Sequence, residues 1–227
     1  MYAFSHGHTL PNIEIVEDYP SKIASFLLND EIDVGLIPVA VIPKLKEHYI
    51  ITDFCIGAEN EVASVCLFSN VPLDEVEKVI LDYQSRTSVA LAKILIEKYW
   101  KLKVEYVEAT ENFREEIKGK TAAIVIGDRA FEQRSINKYY YDLAEAWIDF
   151  TGLPFVFAAW VANKKLPDDF IFQFNEAMKI GLQNIEVIAR ENLSPYYDLK
   201  TYYTSNISYE LTVNKRKGLE KFLGYLQ

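Results

Sequence analysis

Cysteine and histidine are scarce in this chain, with two cysteines and three histidines in 227 residues. Cys55 and Cys66 both sit in apolar stretches, which reads as buried, reduced thiols rather than a disulfide framework. His6, His8 and His48 fall at no metal-ligand spacing with those thiols or with a carboxylate, so no metal site is expected. Basic residues are in deficit, 24 against 33 acidic, for a net charge of −9. A surface of that sign disfavours broad contact with nucleic acid or an anionic membrane, both of which need a basic face. No apolar run reaches the roughly 18 residues of a membrane span. The opening residues, MYAFSHGHTLPN, lack the basic start and apolar centre of a signal peptide, and a cytosolic location is the expectation. Absent too are G-x-S-x-G, a Walker loop, G-x-G-x-x-G and any Cys–His arrangement that would mark a nucleophile.

What the chain does have is apolar material, 50% hydrophobic and 14% aromatic residues, arranged as alternating strands and helices. IEIV (13–16) reads as a short strand. DYPSKIASFLLND (18–30) reads as a helix with Pro20 in its first turn, where a missing N–H is harmless. DVGLIPVAVIP (33–43) is an apolar strand ending in a proline-marked loop. VASVCLFS (62–69) is nearly apolar throughout, as expected of a strand covered on both faces. From residue 71 the texture repeats: strand KVILD (78–82), helix 88–100, strand KVEYV (103–107), a short helix 111–118 and strand TAAIVIGD (121–128). FVFAAWVA (155–162) is another buried strand, and beyond it the pattern reads as helices alone, 168–191 and 209–226. Short strand–helix units of this kind predict an α/β class with parallel sheets, and two blocks joined by a crossing strand predict two lobes with a cleft.

Four places carry possible chemistry. Ser85, Arg86, Thr87 and Ser88 crowd the corner where a strand gives way to a helix. A helix start offers unpaired N–H groups and the positive end of the dipole. Hydroxyls there can cap the helix or donate to an anion, and an arginine can grip a carboxylate bidentately. Capping needs only one hydroxyl, so three with an arginine favour an anion seat. Gly127 and Asp128 end a strand at the edge where α/β proteins take ligands, although Asp128 could equally cap the following helix. Thr151 and Gly152 turn the chain before a buried strand, as a ligand contact or as an ordinary turn. Ser64 is a hydroxyl within an otherwise apolar strand, either polar for a purpose or bonded to backbone. From these residues the expectation is a protein that binds a small carboxylate.

Taken in order, DVGLIPVA, VASVCLFS, LDYQSRTSVAL, AAIVIGDRA and YDLAEAWIDFTGLPFVFAAW resemble the menaquinone-biosynthesis chorismate dehydratases of the futalosine pathway, from about residue 13 to 163. The resemblance implies the fold of type II periplasmic solute-binding proteins, α/β with two lobes and an interlobe cleft. Residues 1–70 and 155–227 would form one lobe and 71–154 the other. It implies a lyase that removes water from chorismate to give 3-[(1-carboxyvinyl)oxy]benzoate, with no cofactor and no metal. Ser64 would be the catalytic polar residue, with the SRTS corner, Gly127-Asp128 and Thr151-Gly152 holding substrate. Two other uses of the fold compete: non-catalytic capture of a carboxylate, and the sister enzyme of the same pathway acting on a later dehypoxanthine intermediate. The family opens with a strand and turn like VSYxNTKPF, whose asparagine joins the catalytic set. Here Met1-Tyr2 aligns just after that turn, so Met1 is expected to be internal to a longer protein or a start assigned too late. Losing an inner strand would leave its neighbours' backbone groups unpaired.

Overall fold

The computed structural model describes residues 2–7, 10 and 13–227; Met1 and His8 lie outside them. In chain order the elements are α1 (Tyr2–Ser5), α2 (Pro20–Leu28), β1 (Val34–Pro38), β2 (Tyr49–Ala58), β3 (Val65–Ser69), β4 (Lys78–Leu81), α3 (Arg86–Ile94), β5 (Glu105–Glu108) and β6 (Thr121–Ile126). There follow α4 (Asp128–Gln133), β7 (Tyr139–Asp142), α5 (Leu143–Thr151), β8 (Phe155–Ala162), α6 (Asp168–Gln183), α7 (Ile185–Glu191), α8 (Leu199–Thr201), β9 (Ser208–Glu210) and α9 (Val213–Gly224).

The strands form two sheets. Sheet one has the order β1-β8-β2-β9, with every neighbouring pair antiparallel. Sheet two has the order β5-β4-β6-β3-β7. Within it β4 runs parallel to both β5 and β6, whereas β3 runs antiparallel to β6 and β7. Parallel pairing is thus narrower than the alternation of strands and helices suggests. It is confined to the strands that helices link, and the strands that carry the chain between sheets insert against the grain. Residues 65–69 pair in sheet two, so the chain crosses at 59–64, before residue 70, and returns at 152–154.

The apolar runs at β3, β6 and β8 are strands as expected, and every residue of β3 is buried. Pro20 occupies the first turn of α2. Other segments differ for identifiable reasons. Residues 13–16 are extended chain outside any sheet. Among the described residues β1 pairs only with β8 and so forms an edge of sheet one; residues 13–16 do not add to that edge, and Ile15 and Val16 stay 44% and 45% exposed. The stretch after residue 162 is not helical throughout: β9 pairs with β2, and the last helix begins only at Val213, capped by Thr212 Oγ1, which accepts from Lys215 N at 3.3 Å. The helix expected over 168–191 breaks at Asn184, whose side chain donates back to Ile180 O at 2.7 Å and so competes with the helical ladder. The helix expected over 111–118 is a single 3₁₀ turn, Phe113–Glu116.

One core runs through both sheets. Ile23, Leu27 and Ile37 continue through Phe155 and Val161 to Leu91, Leu95 and Trp147 on the helices of sheet two. Trp147 meets Phe155 and Phe222 edge-on at 5.4 and 6.1 Å. A second cluster, with Cys66, Phe68, Ile80, Phe113 and Val125, covers the other face of sheet two. Both cysteines are free and buried.

Candidate functional site

Topology brings three of the four candidate places to one edge of sheet two. Because β4 and β6 are parallel neighbours, the corners that follow them, at Ser85 and at Gly127, emerge on the same side. Because β3 is antiparallel to β6 with Val65 opposite Ile126, Ser64 lies beside Gly127, whose N–H donates to Ser64 O at 2.8 Å. This is the carboxyl edge of the parallel strands, where open α/β sheets take ligands.

At the first corner Ser85 caps α3, its hydroxyl accepting from Ser88 N at 3.1 Å. The other polar groups reach toward sheet one. Thr87 Oγ1 accepts from Ala40 N at 3.2 Å, and Arg86 Nη2 donates to Ser25 Oγ on α2 at 3.1 Å. Thr87 and Ser88 are buried. Of the six arginines in the sequence, Arg114, Arg129, Arg134, Arg190 and Arg216 each lie within ion-pair distance of a carboxylate. Among the described residues Arg86 has no such partner. A guanidinium without a counter-ion at a helix start adds its field to the dipole's positive end.

The two corners are stapled together. Arg129, the second residue of α4, donates to Asp82 Oδ2 at 2.6 Å and to Gln84 Oε1 at 2.9 Å. Asp82 Oδ1 accepts from Gln84 N at 3.0 Å, closing the turn ahead of Ser85. Gly127 has φ +64° and ψ −150°, a backbone region open essentially to glycine alone. Asp128 is exposed as the first residue of α4, so the position before that helix belongs to Gly127 and Asp128 does not cap it.

Ser64 is 3% exposed, and its hydroxyl lies 2.9 Å from that of Tyr202. The crossing ahead of it is tightly held. Asp142 accepts from Val62 N and Ala63 N at 3.2 and 2.8 Å as well as from Ala144 N and Glu145 N. Burial outweighs those bonds and pushes the Asp142 carboxyl up to about 6. Arg134 donates to Ala63 O at 2.9 Å and pairs with Glu61. Burial raises Cys66 well above the usual thiol range and Cys55 to about 11, so neither is a thiolate nucleophile at neutral pH.

Thr151 and Gly152 lie elsewhere. Gly152 closes the carboxyl end of α5 with φ +72°. Thr151 Oγ1 donates to Trp147 O at 2.8 Å and accepts from Leu153 N at 3.2 Å. At about 1.5 Å per residue, the nine residues of α5 separate this turn from the Asp142 end by about 13 Å. The pair therefore serves here as a cap and turn. Tyr202, Asp82, Arg129 and Asp142 are site neighbours that the sequence reading passed over. The tyrosine-rich run YYDLKTYY (196–203) is the one local sign of Tyr202. Two surface hollows of about 320 and 280 Å³, the first lined by residues such as Tyr49, Asp53, Asn175 and Arg216 and the second by Glu186, Arg190, Tyr197 and Lys200, include none of the candidate residues. No three His, Cys, Asp or Glu side chains group to hold a metal among the described residues, and no described helix is long and apolar enough to cross a membrane.

Comparison with known proteins agrees with this architecture. The fold is that of the periplasmic-binding-protein class, α/β with mixed sheets. A crystal structure of a protein from Archaeoglobus fulgidus superposes with a TM-score of 0.70 at 17% identity, covering 99% of this chain and 89% of that one. The chorismate dehydratase of Thermus thermophilus is 26% identical over 96% of this chain and 88% of its own length. That of Campylobacter jejuni is 27% identical over 98% and 87%. Residues 1–227 match the family described as menaquinone biosynthesis, and the chain belongs to that family.

Proposed function

We propose that this protein removes water from chorismate, giving 3-[(1-carboxyvinyl)oxy]benzoate. The observation that carries the reading is Arg86, set at the start of α3, bonded to a serine hydroxyl of α2 and, among the described residues, without a carboxylate partner. Chorismate is a dianion, and a guanidinium beside helix N–H groups suits one of its carboxylates. Membership of a menaquinone-biosynthesis family, with relatives named chorismate dehydratase at 26% and 27% identity, supports the same substrate.

The chemistry asks little of the protein. The ring's C3 proton and C4 hydroxide leave as water, and the ring becomes aromatic, which supplies the driving force. The protein must orient the substrate, hold its carboxylates and stabilise charge on the departing oxygen. Ser64 is the residue that offers a hydrogen bond to that oxygen. Residues 85–88, with Gly127 and Asp128, surround the ring's carboxylate end. Ser64, Thr87 and Ser88 are almost fully buried, so the lobes open to admit substrate and the Ala40–Thr87 and Ser25–Arg86 bonds part in doing so.

The test is to supply the purified protein with chorismate and follow loss of water by mass spectrometry. Formation of the enolpyruvyl benzoate supports the reading. Chorismate bound but unchanged would favour solute capture, the use suggested by the fold. Neither binding nor turnover would overturn both.

A further inference from the structure

We infer that Tyr202 is a positioning residue for this elimination: its hydroxyl donates to Ser64 Oγ and so directs the Ser64 proton at the hydroxyl leaving the ring. The inference rests on the dehydratase reading and adds to it a residue from the far end of the chain. The two oxygens are 2.9 Å apart, and both sides of the contact are fixed. Ser64 has its backbone held at either end, its N–H on Val62 O at 2.8 Å and its carbonyl receiving Gly127 N at 2.8 Å. Tyr202 begins a π-helical turn, Tyr202–Asn206, in which Ile207 N donates back to Tyr202 O at 3.0 Å. Its ring meets Phe131 edge-on at 5.0 Å and Tyr203 at 5.2 Å.

The direction of the hydrogen bond follows from acidity. A phenol is a stronger acid than an alkyl alcohol, so it is the better donor of the two. Burial raises the Tyr202 phenol above its ordinary value and outweighs the opposite pull of its hydrogen bond with Ser64, so it keeps its proton at neutral pH. With one lone pair of Ser64 Oγ engaged by Tyr202, the serine's single hydrogen is left to donate. Without Tyr202, the hydroxyl would be free to rotate toward other acceptors. No proton leaves Tyr202 in this arrangement; the C3 hydrogen and the C4 hydroxyl of the substrate account for the water released.

The experiment is a double-mutant cycle on the full chain with chorismate, using Tyr202→Phe, Ser64→Ala and the pair. Tyr202→Phe keeps the ring and its aromatic contacts. It should lower kcat about tenfold, a typical hydrogen-bond effect expressed as a rate, with KM within about twofold. In the Ser64→Ala background the same change should alter kcat by less than about twofold, because its target is gone. Equal losses in both backgrounds, an unchanged kcat, or a change in KM alone would each overturn the inference while leaving the dehydratase reading intact. A parent protein that neither binds nor turns over chorismate would remove the dehydratase reading itself. If Tyr202→Phe fails to fold, Tyr202→Trp and Tyr202→Met enter the same cycle, under the same criterion of loss only when Ser64 is present.

Discussion

Arg129 reaches across from α4 to place a guanidinium nitrogen 2.6 Å from Asp82 Oδ2, a side chain with no exposed surface. The pair ties the turn ahead of Ser85 to the corner at Gly127, so the geometry of the candidate site depends on it. Removing one partner strands a buried charge, which costs about 3–5 kcal/mol. Arg129 is itself 26% exposed, so the lower end of that range applies. Arg129→Ala should lower unfolding free energy by about 3 kcal/mol in urea, and adding Asp82→Asn should recover part of the loss. A single variant as stable as the parent would show that the pair does not hold the two corners together.

Arg86 presents the opposite case, a guanidinium whose partner is a neutral hydroxyl. Arg86→Ala should therefore leave stability nearly unchanged while weakening chorismate binding by about 1.5–3 kcal/mol, the worth of a charged hydrogen bond. Calorimetry with chorismate reads the affinity, and urea unfolding reads the stability. Equal affinity in parent and variant would remove the carboxylate seat.

Ser64 is assigned to the departing oxygen rather than to ground-state binding. Ser64→Ala should accordingly lower kcat by a larger factor than it raises KM. An unchanged rate would make Ser64 a core serine that merely satisfies Tyr202.

How much of this was legible in the sequence depends on how local each feature is. β3, β6 and β8 are buried nearly throughout, so they read as continuous apolar runs. β2 is interrupted by Asp53 and shifts register between Ile50 and Cys55. β7 is a run of three half-exposed or exposed tyrosines and an aspartate, and β9 has only three residues, so none of these shows a clear alternation. In the site, Ser85–Ser88 and Gly127-Asp128 were visible because strand ends concentrate such residue types. Thr151-Gly152 had the same look, yet their polar groups are taken up in capping α5. The Ser64–Tyr202 contact spans 138 positions, and the isolation of Arg86 is a property of everything around it. No local pattern encodes either one.

Gly127 separates backbone strain from crowding. A Cβ built there meets nothing within 4 Å, yet φ is +64° with ψ −150°. Gly127→Ala should thus cost about 1–3 kcal/mol through conformation alone. A larger residue such as serine should cost about the same. A cost rising steeply with side-chain size would point instead to steric contact at the edge shared with Ser64.

Asp142 gives the crossing a pH dependence of defined sign. Burial raises its carboxyl from 3.8 to about 6 in the folded protein. Between those values the folded state holds more proton than the unfolded chain, so this group's contribution to stability falls as pH rises. The contribution is most favourable below about pH 4 and is lost as the carboxyl ionises through pH 6. Two pKa units correspond to about 3 kcal/mol. Other carboxylates pull the opposite way in acid, so the clean reading is a difference between parent and Asp142→Asn. The variant keeps one acceptor oxygen but sets an amide against the N–H of Ala63 or Val62, and should be less stable at every pH. Measured by urea unfolding from pH 4 to pH 7, the gap between the two proteins should narrow by about 2–3 kcal/mol. A gap that stays constant would mean that Asp142 has the same pKa folded and unfolded.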